Sequence, residues 1–253
     1  MGIEYEDMRT MLCGLRKNTP SQESSLLILG DAYIHFSIES FVALAKEVGY
    51  ELHQIPKEMD PYALGKSLGF GSVDTLDLNG KATITMDLQK DLPEDMHEKY
   101  DYLLDAGVLF WCYDPGAALR NIYRMVRTQG VFHHITGITG HFGRGYYNIH
   151  PRLFEDFYLI NNCCHILASY RTKLQRPTLL SRLVRALLWQ KKIAVSYNYS
   201  AGNIYLDESK RDKISFSNKL NISESNILPN NVVGNLVFQK LSRGEPKGPA
   251  QLC

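Results

Sequence analysis

Leu103-Leu104-Asp105-Ala106-Gly107 opens the stretch that decides the fold. This apolar strand, which ends in an acid and a glycine, is followed by the helical pattern Ala117–Ile122 and by a turn at Gln129-Gly130. A second apolar strand, Val131–Ile135, then leads into the glycine- and histidine-rich loop Gly140–Tyr147. Strand, helix, strand and polar loop are typical of one half of an open α/β sheet, in which ligands bind outside the carboxyl ends of the strands. The stretch therefore predicts a binding edge.

Apolar patterns outside this stretch predict further strands that alternate with helices. The other predicted strands are Ser25–Leu29, Ser72–Asp77, Ala82–Asp87, Tyr100–Asp105 and Val232–Gln239. The other predicted helices cover residues 3–17, Ile38–Val48, Asp60–Leu68, Leu153–Asn161 and Pro177–Lys192. This alternation indicates parallel βαβ units with right-handed crossovers, and so an α/β fold with a mostly parallel central sheet and flanking helices.

Length and composition favour one globular domain over residues 1–253. Apolar residues make up 44% of the 253 residues and charged residues 22%, which is ordinary for such a domain. We expect an N-terminal helical extension over 1–22, an irregular or helical insertion or lid over 165–230, and a disordered tail over 244–253. No apolar run approaches the length of a membrane span, so the expected location is the cytoplasm.

Charge and cysteine content narrow the possible partners. The formal net charge is +1, and no basic stripe with interleaved aromatic residues occurs, so a nucleic-acid partner is not expected. The five cysteines include the adjacent pair Cys163-Cys164 but no CxxC motif. This pattern favours buried thiols in a reducing compartment, with neither a disulfide framework nor a metal site.

Three of the predicted strands end in aspartate, at Asp77, Asp87 and Asp105. An acid at the carboxyl end of a strand can accept hydrogen bonds from ribose hydroxyls or from an adenine amino group. The alternative is that each acid caps the helix or turn that follows it. Three such acids in sequence, behind a first strand that ends in Gly30, favour a nucleotide-like cofactor.

The order of these features resembles class I S-adenosylmethionine-dependent methyltransferases, a Rossmann-like fold, over roughly residues 24–160. Leu26–Gly30 resembles the first strand and the start of the cofactor loop, and Asp105-Ala106-Gly107 resembles the fourth-strand motif. Leu119–Ile122, Gln129-Gly130 and Arg144–Pro151 resemble the helix, turn and final loop of one group within that superfamily. The resemblance implies S-adenosyl-L-methionine as the cofactor. The implied cofactor-binding residues are Gly30, Asp31, Asp77, Asp87, Leu88, Asp105 and Gly107.

Three departures from the family pattern bear on that implication. The usual acid-x-Gly-x-Gly loop is reduced to Gly30, with the bulky Tyr33 and Ile34 close behind it. Phe110-Trp111 replaces a Glu-His pair, and Arg144 replaces a histidine. These changes indicate either an altered cofactor pose or a fold that no longer binds the cofactor.

Methyl transfer to a hydroxyl or a protonated amine also requires a base, and histidine is the usual one near neutral pH. His141 is the first candidate because a glycine-flanked loop can present it to a ligand, and His134 is the second. Arg144 is expected to bind an anionic group of the acceptor. Tyr146 and Tyr147 are expected to shape the acceptor pocket, although aromatic packing is the commoner role for such residues.

These features together predict an S-adenosylmethionine-dependent O- or N-methyltransferase of a small molecule, such as a natural-product or cell-surface sugar intermediate. One alternative is a non-catalytic methyltransferase-like protein that acts as a partner or regulatory subunit. Another is an enzyme that uses a different nucleotide, although no GxGxxG motif follows the first strand. The predicted helix Pro177–Lys192 would pack on the sheet, cover the acceptor site or form a homodimer contact. A membrane-surface role for this helix is the least favoured reading.

Overall fold

A computed structural model describes residues 2–16, 18–141, 143–172 and 232–248. Nine strands, five α-helices and two short 3-10 helices, Glu94–Met96 and Leu109–Trp111, lie in these ranges. The strands are β1 (Gly2–Ile3), β2 (Ser25–Leu29), β3 (Tyr33–Ile34), β4 (Ser72–Asp77), β5 (Ile84–Thr85), β6 (Tyr100–Asp105), β7 (Val126–Thr139), β8 (Cys163–Thr172) and β9 (Val232–Lys240). The helices are α1 (Tyr5–Leu15), α2 (Ile38–Val48), α3 (Pro61–Ser67), α4 (Pro115–Met125) and α5 (Pro151–Ile160).

Local sequence signals set the ends of several helices. The side chains of Asp60 and Asp114 accept hydrogen bonds from backbone N–H groups in the first turns of α3 and α4. A proline follows each of them at the first helical position, where its missing N–H costs no hydrogen bond. Gly49 ends α2 in the left-handed conformation with φ 68°. Gly49 and Asp60-Pro61 are among the signals from which α2 and α3 were predicted, whereas α4 was predicted from Ala117–Ile122 without its cap.

Seven strands form the main sheet in the order β5-β4-β2-β6-β7-β9-β8. The pairs from β5 to β7 are parallel, whereas β9 is antiparallel to both β7 and β8. From β2 the chain runs outward to β4 and β5, and it then returns to β6 on the other side of β2. The strand order therefore reverses between β2 and β6, which is the place where open α/β sheets bind ligands.

Helices cover both faces of the sheet. Leu27, Leu29 and Leu103 point to the face covered by α4 and α5, and their neighbours Leu26 and Ile28 point to the face covered by α1, α2 and α3. Because both faces are buried, these strands read as continuous apolar runs. The predicted α/β class, with a mostly parallel central sheet and flanking helices, is confirmed.

The structure differs from the predicted elements in the second half of the chain. Only Ile84–Thr85 of the predicted strand Ala82–Asp87 pairs with β4, at the edge of the sheet. The predicted turn at Gln129-Gly130 is instead an irregularity within the longer strand β7, with Gln129 at φ 68°. Residues 165–172, expected to begin the insertion, belong to β8. The rest of that insertion, with the predicted helix Pro177–Lys192, lies outside the described residues.

Residues 244–248, expected to begin a disordered tail, pack against the domain. Glu245 forms an ion pair with Arg124 at 3.0 Å. The backbone N–H of Lys247 donates to Oδ1 of Asn161 at 2.6 Å, and the Asn161 amide donates in return to the Lys247 carbonyl at 2.9 Å. Residues 249–253 lie outside the described ranges.

The strands that flank the segment 173–231 both meet it at the binding edge. Thr172 of β8 and Thr139 of β7 are each paired with Val232 of β9. Because β7 ends at Thr139, the end of β8 and the start of β9 lie at the carboxyl edge of the parallel strands. Thr172 and Val232, the described residues on either side of 173–231, therefore both lie at this edge.

Candidate functional site at the carboxyl edge of the sheet

Gly30 lies directly after β2, at the point where the strand order reverses. Its φ of 91° favours glycine, and its N–H donates to the carbonyl of Leu76 at 2.8 Å. A Cβ at this position would lie 2.8 Å from Cγ2 of Val108, in the loop after β6. Glycine thus allows the loops after the two central strands to approach each other closely.

Asp77, at the end of β4, holds the loop that follows Gly30. Its Oδ2 accepts a hydrogen bond from the backbone N–H of Asp31 at 2.7 Å, and its Oδ1 accepts one from the N–H of Asn79 at 3.1 Å. The amide of Asn79 in turn donates to the exposed carboxylate of Asp31 at 3.1 Å. The structure therefore brings together Gly30, Asp31 and Asp77, three of the predicted cofactor-binding residues. Each oxygen of the half-buried Asp77 has a further lone pair for a ligand.

Asp87 and Leu88 follow the short strand β5. Oδ1 of the half-buried Asp87 accepts from both the backbone and the side chain of Gln89, at 3.0 Å each. Leu88 is buried, and its carbonyl accepts from the Asn121 amide at 2.9 Å. The Asp87 carboxylate is thus half-buried and bonded within its own turn, whereas the Leu88 side chain packs in the core.

Asp105, predicted to bind the cofactor, is fully buried and shapes the turn after β6 instead. Its Oδ1 accepts hydrogen bonds from the N–H groups of Gly107, Val108 and Leu109, at 3.0, 2.7 and 3.4 Å. Its Oδ2 lies 2.9 Å from Nδ1 of His134. Because these four contacts surround the carboxylate, its side chain does not reach a ligand. Gly107, at φ 86°, is the residue that allows the turn.

His134, predicted as a possible base, is also fully buried. The Asp105 carboxylate can only accept, so Nδ1 of His134 donates to it, and Nε2 is hydrogen-bonded to the Tyr158 hydroxyl at 2.7 Å. The imidazole thus connects β6 to α5 and has no exposed surface. This burial removes His134 from the residues that can take a proton from an acceptor.

The neighbouring His133 belongs to a second buried hydrogen-bond chain on the opposite face of the sheet. The Asn235 amide donates to Asp7 at 2.8 Å, so its oxygen accepts from Nε2 of His133 at 3.0 Å. Nδ1 of His133 then accepts from the Tyr102 hydroxyl at 3.0 Å. Burial lowers the pKa of His133 to about 4. Arg171 completes the chain with two 2.7 Å bonds to Asp7 and ties α1 to β8.

His141, the first candidate base, lies after β7 with 9% of its surface exposed. Its Nε2 lies 3.3 Å from the carbonyl of Val232, so Nε2 is the donor and Nδ1 is the proton-accepting nitrogen of the neutral ring. Burial lowers the pKa of His141, which favours this neutral form. The ring centroid is 6.4 Å from that of Phe110, so His141 adjoins the turn after β6.

The loops after β6 and β7 are joined at Phe110. Its carbonyl accepts from the N–H groups of Tyr146 and Tyr147, at 2.8 and 3.3 Å. A Cβ on Gly145 would lie 2.1 Å from the Phe110 ring, so only glycine permits this contact. The hydroxyl of Tyr147 donates to the carbonyl of Tyr113 at 3.0 Å. Tyr146 and Tyr147 therefore lie at the predicted acceptor side of the edge.

Two further aromatic residues at this edge, Trp111 and Tyr113, were missed in the sequence. Exposure is 50% for Trp111, 78% for Tyr113, 68% for Tyr146 and 41% for Tyr147. The sequence signal for them was the replacement of Glu-His by Phe110-Trp111, which changes a polar pair into an aromatic one. We call these four residues the aromatic surface. Arg144, predicted to bind an anion, is exposed in the same loop as Tyr146.

Other features of the described residues lie outside this site. A cavity of about 830 Å³ opens at the opposite edge, near Glu155 and His165. Burial raises the pKa of Glu155 to about 7. The buried thiol of Cys163 has its pKa raised to about 12, and Cys164 is half-buried. Within the described ranges, no group of histidine, cysteine and acidic residues is arranged to hold a metal ion, and no helix has the length and apolar character to cross a bilayer.

Fold and site together define an open-sheet α/β protein with its candidate binding crevice between β2 and β6. No protein-family model and no curated protein matches the sequence. Among solved structures, the chain is similar to a SAM-dependent methyltransferase from Archaeoglobus fulgidus. The two are 13% identical, with 92% of this chain and 94% of that chain covered and a TM-score of 0.45.

Two other similar structures contain S-adenosylhomocysteine. One is 1,6-didemethyltoxoflavin-N1-methyltransferase from Burkholderia thailandensis, with 1,6-didemethyltoxoflavin also bound. It is 10% identical, with 93% of this chain and 79% of that chain covered and a TM-score of 0.44. The other is phosphoethanolamine N-methyltransferase 2 from Haemonchus contortus, which is 13% identical, with 94% and 53% covered and a TM-score of 0.43. This chain spans about half the length of the Haemonchus protein.

Proposed function

We propose that this protein is an S-adenosylmethionine-dependent methyltransferase that acts on a hydroxyl or an amine of a small molecule. The observation that carries the proposal is the position of Asp77. Its half-buried carboxylate lies at the carboxyl end of β4 and is hydrogen-bonded to the loop that begins at Gly30, beside the reversal of strand order. Acids at this position of open sheets bind the ribose of nucleotide cofactors.

The polar groups at the edge fit a nucleoside better than they fit an isolated anion. Asp77 and Asp87 offer carboxylate oxygens, which accept hydrogen bonds from ribose hydroxyls and from an adenine amino group. Gly30 and Gly107 bring their backbones to the same crevice without side chains. Asp105 and Leu88 support this arrangement from behind, because both side chains are buried.

The bound cofactor would supply an electrophilic methyl group on a positively charged sulfur. The contribution of the chain is then to hold the acceptor in line with that group, since positioning provides much of the rate of a bimolecular reaction. The loops that carry Tyr113, Tyr146 and Tyr147 are fixed to each other through Phe110, so they form a preorganised wall for the acceptor.

His141 is the described histidine that we propose as the base. The Val232 carbonyl fixes its tautomer, so that Nδ1 is the basic nitrogen of the ring. Nδ1 is buried, so the ring must turn towards the edge to take a proton from the acceptor. Its lowered pKa keeps the ring neutral at neutral pH, which a general base requires. Removal of the imidazole in His141→Asn is expected to lower kcat while leaving cofactor affinity unchanged.

Calorimetry with S-adenosylmethionine and S-adenosylhomocysteine tests the proposal directly. Asp77→Ala should weaken binding by roughly 1–3 kcal/mol, the scale of an unmet polar partner. Asp95→Ala is the matched control, because this exposed acid precedes β6 at the opposite edge and should leave affinity unchanged. The absence of heat with either ligand at high micromolar concentration would overturn the cofactor assignment.

A specific observation also keeps the non-catalytic alternative in view. Val108 fills the space beside Gly30, and Asp31 donates its backbone N–H to Asp77, so part of the loop is already satisfied internally. A chain that has lost cofactor binding would keep such internal contacts. The same calorimetric experiment decides between the two functions, since a partner subunit of this kind binds neither ligand.

A further inference from the structure

The aromatic surface has the composition of a binding site for a flat, charged molecule. This inference rests on the proposed function and adds a class of acceptor to it. The rings of Tyr113 and Tyr146 pack edge to face with centroids 6.4 Å apart, and Tyr146 packs in the same way against Tyr147 at 6.4 Å. Three rings are thus in continuous contact. Trp111 lies two residues before Tyr113 and packs against the buried Phe110 at 5.8 Å.

This exposure differs from that of single surface aromatics elsewhere in the fold. Monomeric proteins tolerate isolated exposed rings, but a cluster of several marks a binding site. The two loops that carry the cluster are held by backbone hydrogen bonds to Phe110, so the rings are exposed on a fixed support. A rigid support of this kind lowers the entropic cost of binding a flat molecule.

Arg144 adds a charge next to the rings. It precedes Tyr146 by two residues in the same loop, and its side chain is exposed. Among the described residues, the ion pairs of the structure leave Arg144 without a carboxylate. A guanidinium in this position is available for a carboxylate or a phosphate on a bound molecule.

We propose that the aromatic surface and Arg144 select an anionic, planar aromatic acceptor. The acceptor's ring would stack on the tyrosines, and its anionic group would pair with Arg144. Aliphatic side chains would favour any apolar molecule of suitable size, whereas aromatic faces and edges favour flat rings in particular. The occupant is therefore a small aromatic acid.

The test uses three probes that separate the two contributions. 1-Naphthoate has both the ring and the charge, 1-naphthalenemethanol has only the ring, and cyclohexanecarboxylate has only the charge. In calorimetry on the full chain, naphthoate should bind most tightly and cyclohexanecarboxylate most weakly. The absence of binding by naphthoate at millimolar concentration would overturn the proposal.

Variants then assign the contacts. Tyr146→Ala and Tyr113→Ala should each weaken naphthoate roughly three- to tenfold, the scale of an aromatic pair. Arg144→Gln should remove the preference for naphthoate over naphthalenemethanol. Tyr62→Ala is the matched control, because this tyrosine of α3 is 56% exposed and lies outside the aromatic surface. Equal weakening in the control, with each variant folded by circular dichroism, would contradict the assignment.

Two further measurements keep the outcomes distinct. Titration of S-adenosylhomocysteine into the same samples tests the cofactor. If the protein binds S-adenosylhomocysteine but not naphthoate, the proposed function stands and the acceptor class is overturned. If the protein binds naphthoate but not S-adenosylhomocysteine, the aromatic surface binds an aromatic acid and the proposed methyltransferase function is overturned. Sedimentation equilibrium of the wild type and Tyr146→Ala tests a second copy as the occupant, and dimerisation that depends on Tyr146 would overturn the proposal.

Discussion

At the scale of single residues, the candidate site depends on a few positions that each combine two requirements. Gly30 needs both a left-handed backbone and the absence of a side chain, because Val108 occupies the adjoining space. Asp105 shows the limit of residue-level prediction. A strand-end acid is equally suited to a ligand or to a turn, and only the positions of three N–H groups and His134 reveal that the turn uses it.

Gly30→Ala should destabilise the fold by about 1–3 kcal/mol, the cost of an unfavourable φ together with a close contact. Chemical denaturation measures this change. Gly14→Ala is a matched control, because a Cβ at this position of α1 would meet nothing within 4 Å. That substitution should stabilise the protein by roughly 0.5–1 kcal/mol. Equal effects of the two substitutions would show that Gly30 has no conformational requirement.

At the scale of elements, β6 and α5 are connected through a buried hydrogen-bond chain of Asp105, His134 and Tyr158. The chain links the turn that carries Phe110 to the helix beneath it. The side chains that shape the candidate crevice are therefore supported from the core.

Tyr158→Phe should lower the free energy of unfolding by about 1–3 kcal/mol, because it leaves a buried nitrogen of His134 without its hydrogen-bond partner. The denaturation midpoint, compared at constant slope, measures the loss. Tyr147→Phe removes a hydroxyl of the same type from the exposed loop and should change stability by less than about 0.5 kcal/mol. A Tyr158→Phe variant as stable as this control would show that the buried chain contributes little.

Prediction of elements from the sequence succeeded where the signal was local. The helix α3, with its cap Asp60, and the apolar strands β2, β4 and β6 were predicted because their own residues indicate both the element and its ends. The helix α4 was predicted only over Ala117–Ile122, because its cap was not recognised. β8 was missed, since its pairing is supplied by β9, about sixty residues further along the chain. Similarly, β7 begins at Val126, which pairs with Tyr100 of β6, so the strand continues through Gln129-Gly130, which resembles a turn. The residues of a strand do not by themselves determine which other strand pairs with it.

At the scale of the whole molecule, buried ionisable groups make stability depend on pH. The pKa values of His133 and His165 are lowered to about 4 by burial. The unfolded chain then binds more protons than the fold below the ordinary histidine pKa of about 6.5, so stability falls as pH drops from there towards 4. Glu155 acts in the opposite sense, since its pKa of about 7 makes stability fall as pH rises from about 4.5 to 7.

His133→Gln should therefore flatten the loss of stability between pH 6.5 and 4, by on the order of 3 kcal/mol across the window. The measurement is the free energy of unfolding as a function of pH. The slope of this free energy against pH is compared between variants, and its absolute value is not used. His97→Gln is the control, because this histidine is exposed and should leave the slope unchanged. An unchanged slope in His133→Gln would show that His133 is not the group that titrates.

The position of β9 has a consequence for the order in which the protein folds. This strand follows β7 and β8 in the chain but lies between them in the sheet, and in the described structure it is the strand with which β8 pairs. Until residues 232–240 have been synthesised, the outer edge of β7 is uncovered and β8 has no template. An unpaired edge of this kind invites association between chains. We therefore expect the sheet to be completed late, when β9 inserts between β7 and β8. We also expect ribosome-bound chains that stop before residue 232 to be prone to aggregation.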